Sequence, residues 1–192
     1  MPRDTAAATK QALLGAAREE FAAYGIAGAR VDRIAERAGV NKERIYGHFG
    51  NKEKLFDAVM SQVLDEVVEL VSQDVDDVGD YVARMYDYHR AHPDLQRLLL
   101  WEALHYGHQR EFDEGRRAHY RRKIEGLAKG LGAEPSVDVG RTLLTVCGMA
   151  AWPTAVPQMA RLILGPDADD QDAMRAHLID FARSAVVRKT PA

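Results

Sequence analysis

The chain has 192 residues, 46% of them hydrophobic and 29% charged, with a formal net charge of −3 and one cysteine, Cys147. That is enough apolar material for a sizeable core, which excludes an intrinsically disordered chain, and a single cysteine excludes an intrachain disulfide framework. No run approaches the length of a membrane span and MPRDTAAATK lacks an apolar signal core, so a reducing, cytoplasmic setting is expected.

Residues 1–8 are expected to form a frayed arm, whose Arg3 either reaches a phosphate or has no role. From Thr9 to Tyr24, Leu13, Ala17, Phe21 and Tyr24 make one apolar stripe and Gly25 stops the helix. Val31, Ile34, Ala35 and Ala38 recur at helical spacing. Gly39 ends that helix as a left-handed cap, and Val40 turns back to the core. Asn41 caps a second short helix, which Ile45 and Phe49 anchor inward. Asn51 caps a third, in which Leu55, Val59, Val63, Val67 and Leu70 keep the period to about Val71. Two short helices joined at a glycine, with the small Ala35 where they cross, suit a helix-turn-helix.

The outward side of this stretch is basic. Helix starts favour Asp or Glu because the macrodipole is positive there. Here Arg30 opens the first short helix, Lys42 and Arg44 occupy the first turn of the second, and Lys52 and Lys54 that of the third; Glu43 and Glu53 offset them only in part. A phosphate at each helix start turns this repulsion into attraction. Tyr46 and His48, outward on the second helix, add groups for a backbone or a base edge. Net charge supports the division: residues 1–55 hold 10 Lys+Arg against 7 Asp+Glu, or +3, and residues 56–192 hold 16 against 22, or −6. A basic head on an acidic body is expected where only the head meets nucleic acid.

The segment GIAGARVDRIAERAGVNKERIYGHFGNKEKLF resembles the DNA-binding domain of TetR-family transcriptional regulators. The likeness runs from about Lys10 to Met60 and rests on three ordered blocks: IA-x-x-AGV, K-x-x-x-Y-x-x-F and NKE-x-LF. Three positions depart from the family pattern. Arg30 stands where a capping Thr or Ser is common, Arg44 where a small residue is common, and Gly47 where a larger residue commonly touches DNA. Gly47 weakens its helix by about 1 kcal/mol relative to Ala. The resemblance implies a dimer on a palindromic operator. Arg30, Asn41, Lys42, Tyr46 and Lys52 are expected to position phosphate, and Arg44 and His48 to read bases, Arg44 by pairing with guanine.

From Asp77 onward the segments 77–91, 94–106, 110–131, 137–152, 154–164 and 171–187 read as helices separated by Pro, Gly or Asp clusters, and no alternating strand is found. The expected fold is therefore all-α, with a helix-turn-helix head at 1–55 and a helical effector-binding and dimerisation body at 56–192. Residues 137–152, including Leu143, are apolar nearly all round, and the last helix repeats Met174, Leu178, Phe181, Ala182, Ala185 and Val186. The resemblance implies that these two helices form a four-helix homodimer interface; core packing within one subunit is the alternative.

In 97–106, RLLLWEALHY, the helix has little polar face, so Glu102 and His105 need partners. One reading is an effector pocket in which Glu102 and His105 orient an apolar or aromatic small molecule among Tyr86, Trp101, Tyr106, Met149 and Trp152. The other is an internal ion pair to Arg84, Arg97 or Arg141. Glu102-x-x-His105 also resembles half of a di-iron ligand set, but one pair is too few, so neither metal nor cofactor is expected. The run Arg116, Arg117, Arg121, Arg122, Lys123 reads as a solvated helix face. No catalytic motif is present, and Cys147 lies on an apolar helix. The expectation is a non-enzymatic, ligand-responsive repressor. A helical metalloenzyme and a helix-turn-helix used for protein contact are the alternatives.

Overall fold

A computed structural model describes residues 2–71 and 77–187. The side chains of 2–5, 70, 71, 109, 186 and 187 lie outside the described residues, and with them the expected roles of Arg3, Leu70 and Val186. Among the described residues all regular structure is helical, and the chain divides into two compact units, Met1–Leu64 with Asp94–Phe112, and Asp65–Pro93 with Asp113–Ala192.

The first unit opens with α1 (Pro2–Gly28), which breaks at Gly25 (φ 68, ψ 179). Glycine stops the regular turn there, as its spacing predicts. The expected arm at 1–8 is instead helical from Pro2, because nothing before Thr9 interrupts a helix. Leu13, Ala17 and Phe21 are fully buried, and Phe21 packs edge-on against Phe56, ring centroids 5.2 Å apart. Tyr24 leaves the expected stripe: it is exposed and lies under the Arg33 guanidinium, 4.4 Å away. Then follow α2 (Val31–Arg37), α3 (Lys42–Phe49) and α4 (Lys52–Val71), with Ile34, Ala35, Ile45, Phe49, Leu55, Val59 and Val63 on their buried faces.

α5 (Val78–Ala91) belongs to the second unit; α6 (Pro93–Tyr106) returns to the first from Asp94 onward. The compact unit thus extends past the 1–55 head, for a reason visible at Gly25. The break interrupts the ladder of backbone hydrogen bonds, and side chains of α6 donate to the carbonyls just before it. Arg97 Nε donates to Ala22 O at 2.6 Å and Arg97 Nη2 to Ala23 O at 3.3 Å; Trp101 Nε1 donates to Ala22 O at 3.3 Å. Carbonyls near a helix end without intrahelical partners need such donors. Arg18 and Asp94 pair at the start of α6, and Leu95 and Leu98 are buried.

The second unit is completed by α7 (Glu114–Gly130), α8 (Val137–Ala155), α9 (Pro157–Leu164) and α10 (Gln171–Val187). Asp77, Asp113 and Ser136 cap α5, α7 and α8 by accepting from the backbone N–H of Asp80, Arg116 and Val139, so the Asp clusters read as breaks are helix starts. α8 runs through Pro153, where a break was expected, and ends at Ala155. α5 is the central helix, contacting α7, α8 and α10. Tyr81, Val82, Met85, Leu127, Val146 and Ala150 are core residues of this unit, and Arg175 to Asp87 and Arg183 to Asp77 tie α10 to α5.

Candidate nucleic-acid interface

The turn between α2 and α3 is built as its residues require. Gly39 has φ 67, and Val40 N donates to the Ala35 carbonyl at 3.0 Å, closing α2. Asn41 is extended and its side chain accepts from Arg44 N at 3.2 Å, starting α3. Asn51 Oδ1 accepts from Lys54 N at 2.8 Å and starts α4.

With Ile45 and Phe49 turned into the core, α3 presents Lys42, Arg44, Tyr46 and His48 on its exposed side. Arg44 and Arg30 have no side-chain hydrogen bond or ion pair among the described residues, and the His48 ring lies 6.1 Å from that of the neighbouring Phe49. Free, outward guanidinium and imidazole groups on one short helix are suited to base edges and phosphates. Lys42 Nζ is 2.8 Å from Asp32 Oδ1, but both are exposed, and such a pair is weak enough to be exchanged for a phosphate. Lys52 differs more from expectation. Its ammonium lies 3.3 Å from the Ala29 carbonyl and 3.4 Å from that of Ala27, joining the start of α4 to the chain leaving α1.

One residue that sequence reasoning missed ties α1 to the start of α2. Glu20 on α1 is only 1% exposed. Its Oε1 accepts from Arg30 N at 2.9 Å and from Arg33 Nε and Nη2 at 2.8 and 2.5 Å. Burial alone would raise the Glu20 carboxyl; the Arg33 hydrogen bond and the Arg30 amide outweigh it and hold the group below its ordinary value. Glu20 thus supplies at the start of α2 what Arg30, which makes no side-chain cap, does not. A carboxylate three residues after Ala17, on the inner stripe, was the available signal.

The expected effector-pocket residues fall in both units, and several have structural roles. Glu102 forms an internal ion pair, but its partner is Arg110, with Nη1 2.8 Å from Oε1. Arg84 is engaged with Asp80, Arg97 with the α1 carbonyls and Arg141 with Asp138. Arg110 also pairs with Asp57 and covers the Tyr106 ring at 4.3 Å. Burial raises the Tyr106 hydroxyl, with the Arg110 charge opposing. Trp101 packs on Gly25, and His105 is exposed against Tyr106. Glu102 and His105 are therefore not a convergent pair for a ligand, and no cluster of three or more metal-ligating side chains occurs among the described residues. In the second unit, Tyr86 lines a cavity of about 260 Å³ with Pro153 and Met174; Met149 is half-buried and Trp152 exposed.

The expected dimer residues divide likewise. Leu143, Leu178 and Ala182 are buried within the subunit and belong to its own core, because α8 and α10 pack on α5. Met174 is half-buried, Ala185 exposed, and Phe181 is 53% exposed. Unexpectedly, α9 adds Leu162 and Ile163, 87% and 72% exposed.

Residues 13–59 match the family model described as bacterial regulatory proteins, tetR family, and residues 77–184 match that described as Tetracyclin repressor-like, C-terminal domain. The HTH-type transcriptional repressor SCO4008 of Streptomyces coelicolor is 40% identical over 192 residues, covering 94% of this chain and 96% of the relative. The solved structure of SCO4942 from Streptomyces coelicolor is 31% identical, with a TM-score of 0.74 over 92% of this chain and 97% of that one. A TetR-like regulator from Rhodococcus, 19% identical with a TM-score of 0.67, shares the fold. Among the described residues no helix is long and apolar enough to cross a membrane. With a helix-turn-helix whose second helix is exposed and basic, and a matching C-terminal domain, this chain belongs to the TetR family of DNA-binding transcriptional regulators.

Proposed function

We propose that the chain is a cytoplasmic, non-enzymatic repressor that binds a palindromic operator as a homodimer and is released by a small molecule received in the body. The observation that carries this reading is the outer side of α3. The Arg44 and His48 side chains are exposed with no polar partner among the described residues, while Asn41, Lys42 and Tyr46 flank them. In the complex each α3 enters a major groove; Arg44 and His48 read bases, and Arg30, Asn41, Lys42 and Tyr46 fix the register on phosphate. Lys52 acts chiefly by holding the start of α4 and reaches phosphate from there. Exposed Phe181 and Ala185 of α10, with Leu162 and Ile163 of α9, supply apolar surface for a second copy. The 1–55 head meets DNA and the 56–192 body carries effector binding and dimerisation.

The test is selection of bound duplexes from a random pool at two salt concentrations, for the wild type and Arg44→Ala. A palindrome is expected, with affinity falling steeply as salt rises. Arg44→Ala is expected to relax base preference at one position per half-site, by about 1–3 kcal/mol. Equal losses on selected and scrambled duplexes would remove Arg44 from base readout, and no enrichment at either salt would overturn the operator reading.

A further inference from the structure

α7 carries a stripe that a buried helix face should not have. His119, Lys123 and Leu127 follow one another at four-residue spacing, all turned inward, with Lys123 only 4% exposed. Lys123 is thus not part of the solvated run of bases to which sequence reading assigned it. Its ammonium has no hydrogen bond or ion pair among the described residues; its one described contact is the Tyr120 ring, 5.8 Å away. Both ring nitrogens of buried His119 lack hydrogen-bond partners among the described residues, and so does Nδ1 of buried His89, on α5. Among the described residues one carboxylate approaches the group: Asp65 Oδ1, 3.9 Å from His119 Nδ1 and itself bound to Arg122 at 2.9 Å.

Burial lowers both histidines, His89 to about 4 and His119 to about 3, and the charge of Lys123 pushes each further down. Both rings are accordingly neutral at physiological pH, each with one N–H to donate. A largely buried cation without a counter-charge is costly to the fold. Apolar residues at 119 and 123 would pack this stripe without that penalty, so the polar set asks for a ligand. His89 also lines a cavity of about 440 Å³ with Arg90, Ala91, Pro93 and Thr154. The Asp87 carboxylate on that cavity is already taken by Arg175.

We propose that the effector is an organic acid whose carboxylate sits against Lys123, with His89 and His119 donating hydrogen bonds to it and its apolar remainder among the helices of the second unit. This rests on the effector reading above and assigns the ligand a charge opposite to the one Glu102 would have selected. The basic group is internal to one subunit and one compact unit.

Thermal unfolding of the full chain tests it, with millimolar octanoate and benzoate beside octanamide, benzamide and octylamine. At least one acid is expected to raise Tm while its matched amide and the amine do not. Lys123→Met is expected to raise the ligand-free Tm and to weaken the acid by about tenfold or more. His119→Gln, which keeps the cation, serves as a second variant should Lys123→Met fail to fold, and it too weakens the acid. No acid-specific shift, or a shift indifferent to both variants, overturns the proposal. Operator binding measured with the same probes separates the two levels of inference. Acid binding that leaves the operator complex intact keeps the anion site and removes the effector role. Release of operator by amide or amine alone keeps the effector role and removes the anion.

Discussion

Gly25→Ala is expected to destabilise the protein by about 3 kcal/mol, through two terms worked from the joint of α1 and α6. At φ 68 and ψ 179 the backbone lies in a region that is essentially glycine-only, and a side chain there costs about 1–3 kcal/mol. An alanine Cβ would also stand 2.7 Å from Trp101 Cδ2 and 2.8 Å from Cε3, so the indole must move. Moving it forfeits the Nε1 hydrogen bond to the Ala22 carbonyl, about 1 kcal/mol. The loss is a large share of the 5–15 kcal/mol that holds a typical domain together, about 5 being the lower end. Urea unfolding of wild type, Gly25→Ala, Trp101→Ala and the double variant makes a cycle. With the indole gone, Gly25→Ala retains only its backbone cost, so the two changes are expected to be less than additive. A coupling energy within about 0.5 kcal/mol of zero would refute the steric half of the argument. A Gly25→Ala variant as stable as the wild type would refute both halves.

Two further predictions concern buried charge. Arg110→Met removes the ion pair to the Glu102 carboxylate and is expected to cost about 3 kcal/mol in urea unfolding; adding Glu102→Gln should restore at least half of that, and no restoration would mean that Arg110 acts through Asp57 and the rings instead. The second is acid sensitivity. His89 and His119 are held near 4 and 3 by burial first and then by Lys123, with Arg122 and Arg116 also facing His119. The unfolded chain takes up these protons below about pH 6.5 and the folded chain does not, so stability is complete above that pH and falls as pH drops toward 4. At pH 5 the loss is about 2 kcal/mol for each histidine. Tm measured from pH 8 to 5 should fall, and His119→Gln should flatten the decline; an unchanged slope would place the acid-sensitive groups elsewhere.

The head was legible because each of its signals is local. Ile34 and Ala35, then Ile45 and Phe49, mark inner faces at helical spacing, and Gly39, Asn41 and Asn51 are punctuation whose chemistry acts within four residues. The misses depend on contacts that no period encodes. Arg110 reaches Glu102 from beyond the helix end, across a 3-10 turn at Gly107–Gln109, whereas Arg84, Arg97 and Arg141, the partners expected from the sequence, are engaged elsewhere. Glu20 works on residues 10 and 13 positions later in the chain. Lys123 was hidden by its neighbours: a run of bases reads as a wet face, and only tracing Leu127 back by four and by eight residues shows that Lys123 and His119 share its side. Leu143, Leu178 and Ala182 have the apolarity an interface needs, yet α5 covers them first.

Connectivity adds weight to Lys123 and the two histidines as a control point. The chain passes between the two compact units at 64/65, 93/94 and 112/113. His89 lies just before the second of these crossings, and His119 and Lys123 just after the third. The helices carrying the basic group therefore hold both ends of segment 94–112, and that segment grips α1 at the carbonyls of Ala22 and Ala23, a few residues before α2. A carboxylate that changes the spacing of α5 and α7 alters the boundary conditions on that segment directly, whereas a ligand elsewhere in the second unit acts only through intervening packing. The effect exists only in so far as the acid binds the two spacings with different affinity. Disturbing the grip at Gly25 should then blunt the response of operator binding to the acid more than it weakens acid binding itself. Equal losses of both would mean that the signal leaves the body by another route, with α4, which crosses at 64/65, the remaining covalent path.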